Sequence, residues 1–335
     1  MSNQPPIGVP QGAIRLNTDS QRLEFFAQDR WYEMATNTQV LDGGVGRGLV
    51  GGGNTPSSTN IIQFITISTA GNSQDFGDLT GTRQSGPGAT GNSTRGVFAG
   101  GQIFPALSDV IDFVTFSSTG DAQDFGNLTV ARRNLIGNGN QTRGLFAGGQ
   151  TPTKQDVIDF ITISSTGDAL DFGNLTSSRN QLGGNVSSPT RGLFYAGNAP
   201  SLTNVIDFIT IPTLGNAQDF ADLVAAMNEN KGVSSSTRGL MMGGNDGSNV
   251  NTIQSVTIAT LGNAQDFGDL TEEKGNSATA SDCIRGVRMG GSSGGSNHNT
   301  MDYVAIATAG NAVDFGDLAT GQGEGAGCSN AHGGL

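Results

Sequence analysis

One unit recurs six times along this chain, and that recurrence limits what the chain can fold into. The dipeptide Arg-Gly stands at Arg47, Arg95, Arg143, Arg191, Arg238 and Arg285, at spacings of 48, 48, 48, 47 and 47 residues. Five residues after each Arg comes a glycine pair, such as Gly100-Gly101 or Gly148-Gly149, replaced in the fourth unit by Ala196-Gly197. Asp-Phe follows 28 or 29 residues after each Arg, at Asp75, Asp124, Asp171, Asp219, Asp266 and Asp314, and a leucine lies four residues beyond each Asp. A period of this length marks one supersecondary unit that buries its apolar faces against neighbouring copies.

Each unit reads as short strands. Leu145-Phe146-Ala147 is an apolar run stopped by glycine, and Val157–Ile163 is rich in β-branched and aromatic residues on both alternating faces. A Ser-Thr-Gly-Asp turn leads to Asp171–Leu175, and the Gly/Asn/Ser-rich stretch from Arg179 to Thr190 has room for one more strand. The 53 glycines among 335 residues argue against a helical fold, because each weakens a helix by roughly 1 kcal/mol relative to alanine. Four strands per unit at this period predict an all-β fold, a six-bladed β-propeller over residues 41–335. The first unit lacks the Gly/Asn/Ser-rich piece before Arg47, whereas Ala319–Ala331 supplies such a piece after the last, with His332-Gly333 in the place of a seventh Arg-Gly. This predicts that the C-terminal strand completes the first blade and removes a free sheet edge.

The succession of apolar strand, Gly-Gly, apolar strand and aromatic-containing last strand, for example Leu145–Gly149, Val157–Ile163 and Asp171–Leu175, resembles the kelch repeat. Phenylalanine replaces the usual kelch tryptophan, and the turn before the last strand is longer. The resemblance implies the fold and no particular activity.

Residues 1–40 do not repeat. Met1–Gly12 reads as extended; Ala13–Asn17, Arg22–Phe26 and Arg30–Met34 read as a three-stranded meander with turns at Thr18–Ser20 and Gln28-Asp29. So small a module should pack on something else. The pattern at Gly12–Asp19, Leu23–Phe26 and Trp31–Glu33 resembles a module near the start of bacteriophage fibre and other virion proteins. The repeats, with Asp-Phe-Gly-Asp-Leu and Thr-Arg-Gly-x-Phe-Ala-Gly-Gly, resemble structural proteins of marine phages, particularly cyanophages. Together these resemblances imply a virion component assembled in the host cytoplasm, tail- or fibre-associated. Its partners would be other virion proteins and a host-surface glycan or receptor. Phe25, Phe26 and Trp31 are the candidate attachment residues. Head decoration and a lectin-like, carbohydrate-binding propeller are the alternatives. No heptad supports a coiled-coil trimer, and self-association stays open.

Charge and residue counts narrow the chemistry. A net charge of -12 argues against nucleic acid, which selects clustered Lys and Arg. No apolar run approaches the ~20 residues that span a bilayer, and the start shows no signal peptide. With Cys283 and Cys328 the only cysteines and His298 and His332 the only histidines, a Cys/His zinc site or a Ser-His-Asp triad has few candidates. The copper site of a galactose-oxidase type and the arginine cluster of a sialidase are not identifiable. The expectation is therefore no enzyme, no metal and no cofactor.

Individual residues are read accordingly. An arginine repeated in every unit is structural, bonding carbonyls or pairing with a repeated aspartate, for which the Asp of Asp-Phe is the natural partner. The Asp-bearing turn, such as Asp121–Asp124, suits Asx-turn bonding better than a calcium loop or a sialidase Asp box. Cys283 and Cys328 read as two small thiols rather than a disulfide. The second-to-third and fourth-to-next-first connections leave one face and vary in length and type. Phe104, Lys154 and His298 on the first class, and Arg132, Lys231 and Lys274 on the second, are the candidate binding residues of that loop face.

Overall fold

The computed structural model describes residues 8–17, 22–33 and 46–335; it is all-β, built from antiparallel sheets, with no helix among those residues. The chain forms two compact units, Met1–Gly44 and Val45–Leu335.

The smaller unit is a three-stranded sheet of Ile14–Asn17, Arg22–Ala27 and Arg30–Glu33. Gln28 and Asp29 both take positive φ (48° and 57°) in a two-residue hairpin whose twist matches the strands it joins. The first part of the extended arm, the Thr18–Ser20 turn and Met34 lie outside the described residues. Alternation divides the aromatic residues between two faces. Phe26 is buried and meets Trp31 at 5.3 Å between ring centroids, with the Arg15 guanidinium 4.2 Å from the Trp31 ring. Phe25 stacks on Tyr32 on the opposite face, where Ile14 and Leu16 are exposed.

The larger unit contains six antiparallel sheets that share one four-strand pattern, the fourth of them with the short strand Asn198–Ala199 added to its third strand. The second sheet is Gly88–Gly91, Arg95–Ala99, Val110–Thr115 and Gln123–Asn127, paired in chain order. The first sheet takes its first strand from the far end of the chain: Ala326–Ser329 pairs with Arg47–Gly51, which is followed by Thr59–Thr66 and Gln74–Arg83. First strands of successive sheets touch in the order Ala326–Ser329, Gly88–Gly91, Ile136–Gly139, Gly183–Ser187, Lys231–Ser234 and Ala278–Ser281, and the last touches Ala326–Ser329 again. Glycine lets these backbones close up: a Cβ on Gly137 would stand 1.8 Å from the Ala89 carbonyl oxygen.

The core lies between sheets. Phe125 and Leu128 of the second sheet pack with Leu135, Phe146 and Ile161 leading into and within the third. Val50, Ile65 and Ile67 of the first sheet pack with Val287, Met301 and Phe315 of the sixth. The Phe of every Asp-Phe is at most 4% exposed, each such burial contributing about 1.5–3 kcal/mol.

Candidate functional site

The six repeated arginines open the second strands, and each lies on an aromatic residue or a neighbouring backbone rather than on an acid. Nη1 of Arg95 donates to the Ile163 carbonyl at 2.9 Å, Arg143 to Ile211 at 2.7 Å and Arg191 to Ile258 at 2.8 Å, each acceptor belonging to the following sheet. Arg47, Arg238 and Arg285 bond Phe116, Ile306 and Ser68 in the same way. In five sheets the guanidinium also stands 4.5–5.1 Å from a third-strand ring: Phe64, Phe113, Phe160, Phe208 or Tyr303. The expected pairing with Asp75, Asp124, Asp171, Asp219, Asp266 and Asp314 is not formed among the described residues. Those six carboxylates are exposed. Each precedes a Phe that faces the core, so strand alternation turns the Asp to solvent.

Buried ion pairs occur elsewhere, in the links between sheets. Arg83 pairs with Asp112 at 2.5 Å, Arg132 with Asp159 at 2.9 Å and Arg179 with Asp207 at 2.6 Å, all essentially without exposure. The Arg ends the link that leaves one sheet, and the Asp sits on the third strand of the next. A threonine three residues before the Arg completes the acceptor set: Thr80, Thr129 and Thr176 donate their hydroxyls to the same carboxylates. Burial pushes the Asp112 carboxyl up and the Arg83 guanidinium down, and each partner's charge opposes the shift of the other.

The remaining links change as sets. In the link from the fourth to the fifth sheet the three positions are Val224, Met227 and Gln254, and in the link from the sixth to the first they are Ala319, Gln322 and Gln63. Val224 N donates to Gln254 Oε1 at 2.7 Å, and Gln63 Nε2 donates to Gln322 Oε1 at 2.9 Å. In the sixth sheet Asp302 accepts from Thr271 and pairs with Arg288, which takes the place of the Phe146-type residue, while Lys274 replaces the linking Arg. Lys274 pairs with Glu272 at 2.8 Å. The acid and its cation appear together or disappear together, as expected when an unpaired buried charge costs several kcal/mol.

This arrangement corrects part of the expected loop face. Arg132 and Lys274 are buried links, unavailable to a ligand. Lys231 opens a first strand and is partly buried; burial lowers its pKa to about 8 against the opposing charge of Glu229. Phe104 remains 76% exposed at the tip of its connector. Lys154 donates to Asn198 Oδ1 at 2.9 Å, joining the connectors of two sheets. His298 is partly exposed, with Nε2 2.8 Å from Ser293 Oγ. The two connector classes do meet: isolated bridges join Gln84 to Gln102, Arg133 to Gln150, Asn180 to Asn198, Asn228 to Asn245, Gly275 to Ser292 and Asn54 to Gly323. Phe25, by contrast with Phe26, lies on the exposed face of the small sheet, so the three attachment candidates do not share one surface.

Between the first strands the free space is only about 20 Å³, room for a single water molecule. His332 fills one side of it. Nε2 lies 2.9 Å from the Gly91 carbonyl oxygen, and Gly334 N donates to Nδ1 at 3.2 Å. That pairing places the proton on Nε2, and burial lowers the pKa. Cys283 and Cys328 are both free thiols.

Against known proteins, no family profile and no curated sequence matches the chain.

Proposed function

We propose that this chain is a non-enzymatic structural protein of a bacteriophage virion, tail- or fibre-associated, whose six sheets are the blades of a kelch-like β-propeller. The observation that carries the propeller is the treatment of the sixth sheet. It meets the first sheet by the same means that join every other neighbouring pair: touching first strands, a shared apolar cluster and a buried polar link, here Gln322 to Gln63. The interior charges are consumed in holding sheets together, and the variable connectors gather on one side through the bridges between them. That is the organisation of a rigid support that presents loops. The virion assignment rests on the sequence resemblance of both the small module and the repeats. In this reading Ile14, Leu16 and Phe25 give the small sheet an apolar face for another virion protein, and the connector face with Phe104 meets a host surface or a neighbouring subunit.

Purified particles test it. The full chain should be present on them, and a variant lacking residues 1–40 should be absent from them. Phe104→Ser should be incorporated normally and adsorb to host cells more slowly. Absence of the full chain from particles ends the virion reading; normal incorporation of the truncated chain ends the attachment role. A second reading, carbohydrate recognition, is favoured by one observation, an open cleft in the fifth sheet.

A further inference from the structure

Two departures from the repeat come together where the fourth and fifth sheets meet. At the third-strand position opposite the apolar residue that follows Arg-Gly, the other sheets carry Phe64, Phe113, Phe160, Phe208 and Tyr303; the fifth carries Ser255, opposite Leu240. In the sisters the ring covers the guanidinium and meets the buried Phe or its equivalent on the fourth strand edge-on, 5.8–6.1 Å between centroids. Without it, the Arg238 guanidinium has no third-strand ring and stands 6.0 Å from the Phe267 ring of the fourth strand.

The second departure is Ala221, on the fourth strand of the fourth sheet and beside the turn of the fifth, where the other fourth strands have Gly77, Gly126, Gly173, Gly268 and Gly316. Each of those glycines lies so close to the turn of the next sheet that a Cβ would stand 2.4–2.6 Å from its backbone. At those five junctions the turn glycine also donates to the preceding Phe carbonyl, as Gly120 N does to Phe76 O at 2.7 Å. The corresponding bond from Gly262 to Phe220 is missing among the described residues. The methyl of Ala221 stands where the sister glycines leave room for that turn to close.

The result is a cleft of about 240 Å³ lined by Arg238, Ser255, Thr257, Thr260, Asn263 and Gln265, with no carboxylate among its lining residues. Nη1 of Arg238 is pinned by the Ile306 and Ala307 carbonyls at 3.1 and 2.6 Å, which fixes the guanidinium. Its Nε and Nη2 have no acceptor among the described residues. A fixed cation with free donors selects a carboxylate, and the surrounding hydroxyls and amides can both donate to and accept from ring hydroxyls. In the sister sheets a six-membered aromatic ring stands at the position of Ser255.

We propose that this cleft binds one carboxylate-bearing pyranose, a uronic acid unit of an acidic polysaccharide. The proposal deepens the carbohydrate reading and is independent of the virion reading. It is tested on the full chain by ligand-observed NMR with the methyl glycosides of glucuronic, galacturonic and mannuronic acid, and with methyl glucoside as the neutral control. At least one uronide should bind wild type, about tenfold more tightly than the glucoside. Ser255→Phe, which installs the residue of the first to fourth sheets, should abolish that binding while melting no lower than wild type. Arg238→Gln should remove the preference for the acid. The proposal is overturned if no uronide binds, if S255F binds as wild type does, or if acid and neutral sugars bind alike. Binding elsewhere on the chain, insensitive to S255F, would leave the carbohydrate reading standing and this site refuted.

Discussion

Gln63 Nε2 donates to Gln322 Oε1 at 2.9 Å across 259 residues of sequence, at the place where sister sheets bury an arginine against an aspartate. The same chain thus contains a neutral and an ionic solution to one packing problem.

That comparison predicts how the ionic links respond to mutation. Asp159→Ala leaves Arg132 buried without its counter-charge and should cost about 3–5 kcal/mol. The triple variant Thr129→Val, Arg132→Met, Asp159→Gln, which copies the link at Val224, Met227 and Gln254, should regain most of that loss. Denaturant unfolding of the three proteins measures it; a triple variant no better than Asp159→Ala would show that the sets do not act as units.

Glycine at close approaches should tolerate nothing larger. Gly137→Ala drives a methyl into the Ala89 carbonyl between first strands, and overpacking of this kind costs about 1–3 kcal/mol or more. Gly81→Ala meets only Ile103 at 3.9 Å and should stay within about 0.5 kcal/mol. Thermal melting of the pair distinguishes close approach from a general cost of replacing glycine.

Lys231 gives a pH dependence with a definite sign. Its pKa is lowered from 10.5 to about 8 by burial, so the unfolded chain holds this proton more tightly than the folded one. Stability from this group is therefore lowest below pH 8 and rises as pH climbs from about 8 to about 10.5. The Tm difference between wild type and Lys231→Met should narrow across that window. A constant difference would mean that Lys231 titrates at its ordinary value.

Both thiols should be slow to react in the folded protein. Burial pushes Cys283 up to about 11 and Cys328 higher still, and the Cys283 thiol lies 3.2 Å from the Ala331 carbonyl oxygen. Since the thiolate is the reactive form, a chromogenic disulfide reagent at neutral pH should label neither quickly and should count two thiols after denaturation. Fewer than two would mean that a disulfide had formed.

The strands were legible because their signals are local. Val157–Thr162 is rich in β-branched and aromatic residues, and glycine pairs mark the ends of second strands. The polar partners were not. Arg143 and Asp171 lie 28 residues apart and make no pair, whereas Arg132 and Asp159 lie 27 apart and form a buried one; spacing cannot separate the two. Arg132, Lys231 and Lys274 read as loop residues because Gly/Ser/Asn-rich links surround them, yet those links run inward between sheets. The cleft at Ser255 had a sequence signal, one serine in a column of aromatic residues, but its meaning depends on Arg238 lying beside it with a guanidinium no third-strand ring covers.

The sequence by itself determined an all-β chain of six equivalent units and the places where strands begin and end, because alternation and backbone conformation are properties of a few adjacent residues. Only the tertiary structure decided which side chains meet. Arg143 bonds a carbonyl 68 residues away in the next sheet, and the last strand pairs with one near residue 50. Such partners are chosen by how sheets pack, and in a repeat every unit offers the same candidates at nearly the same separation.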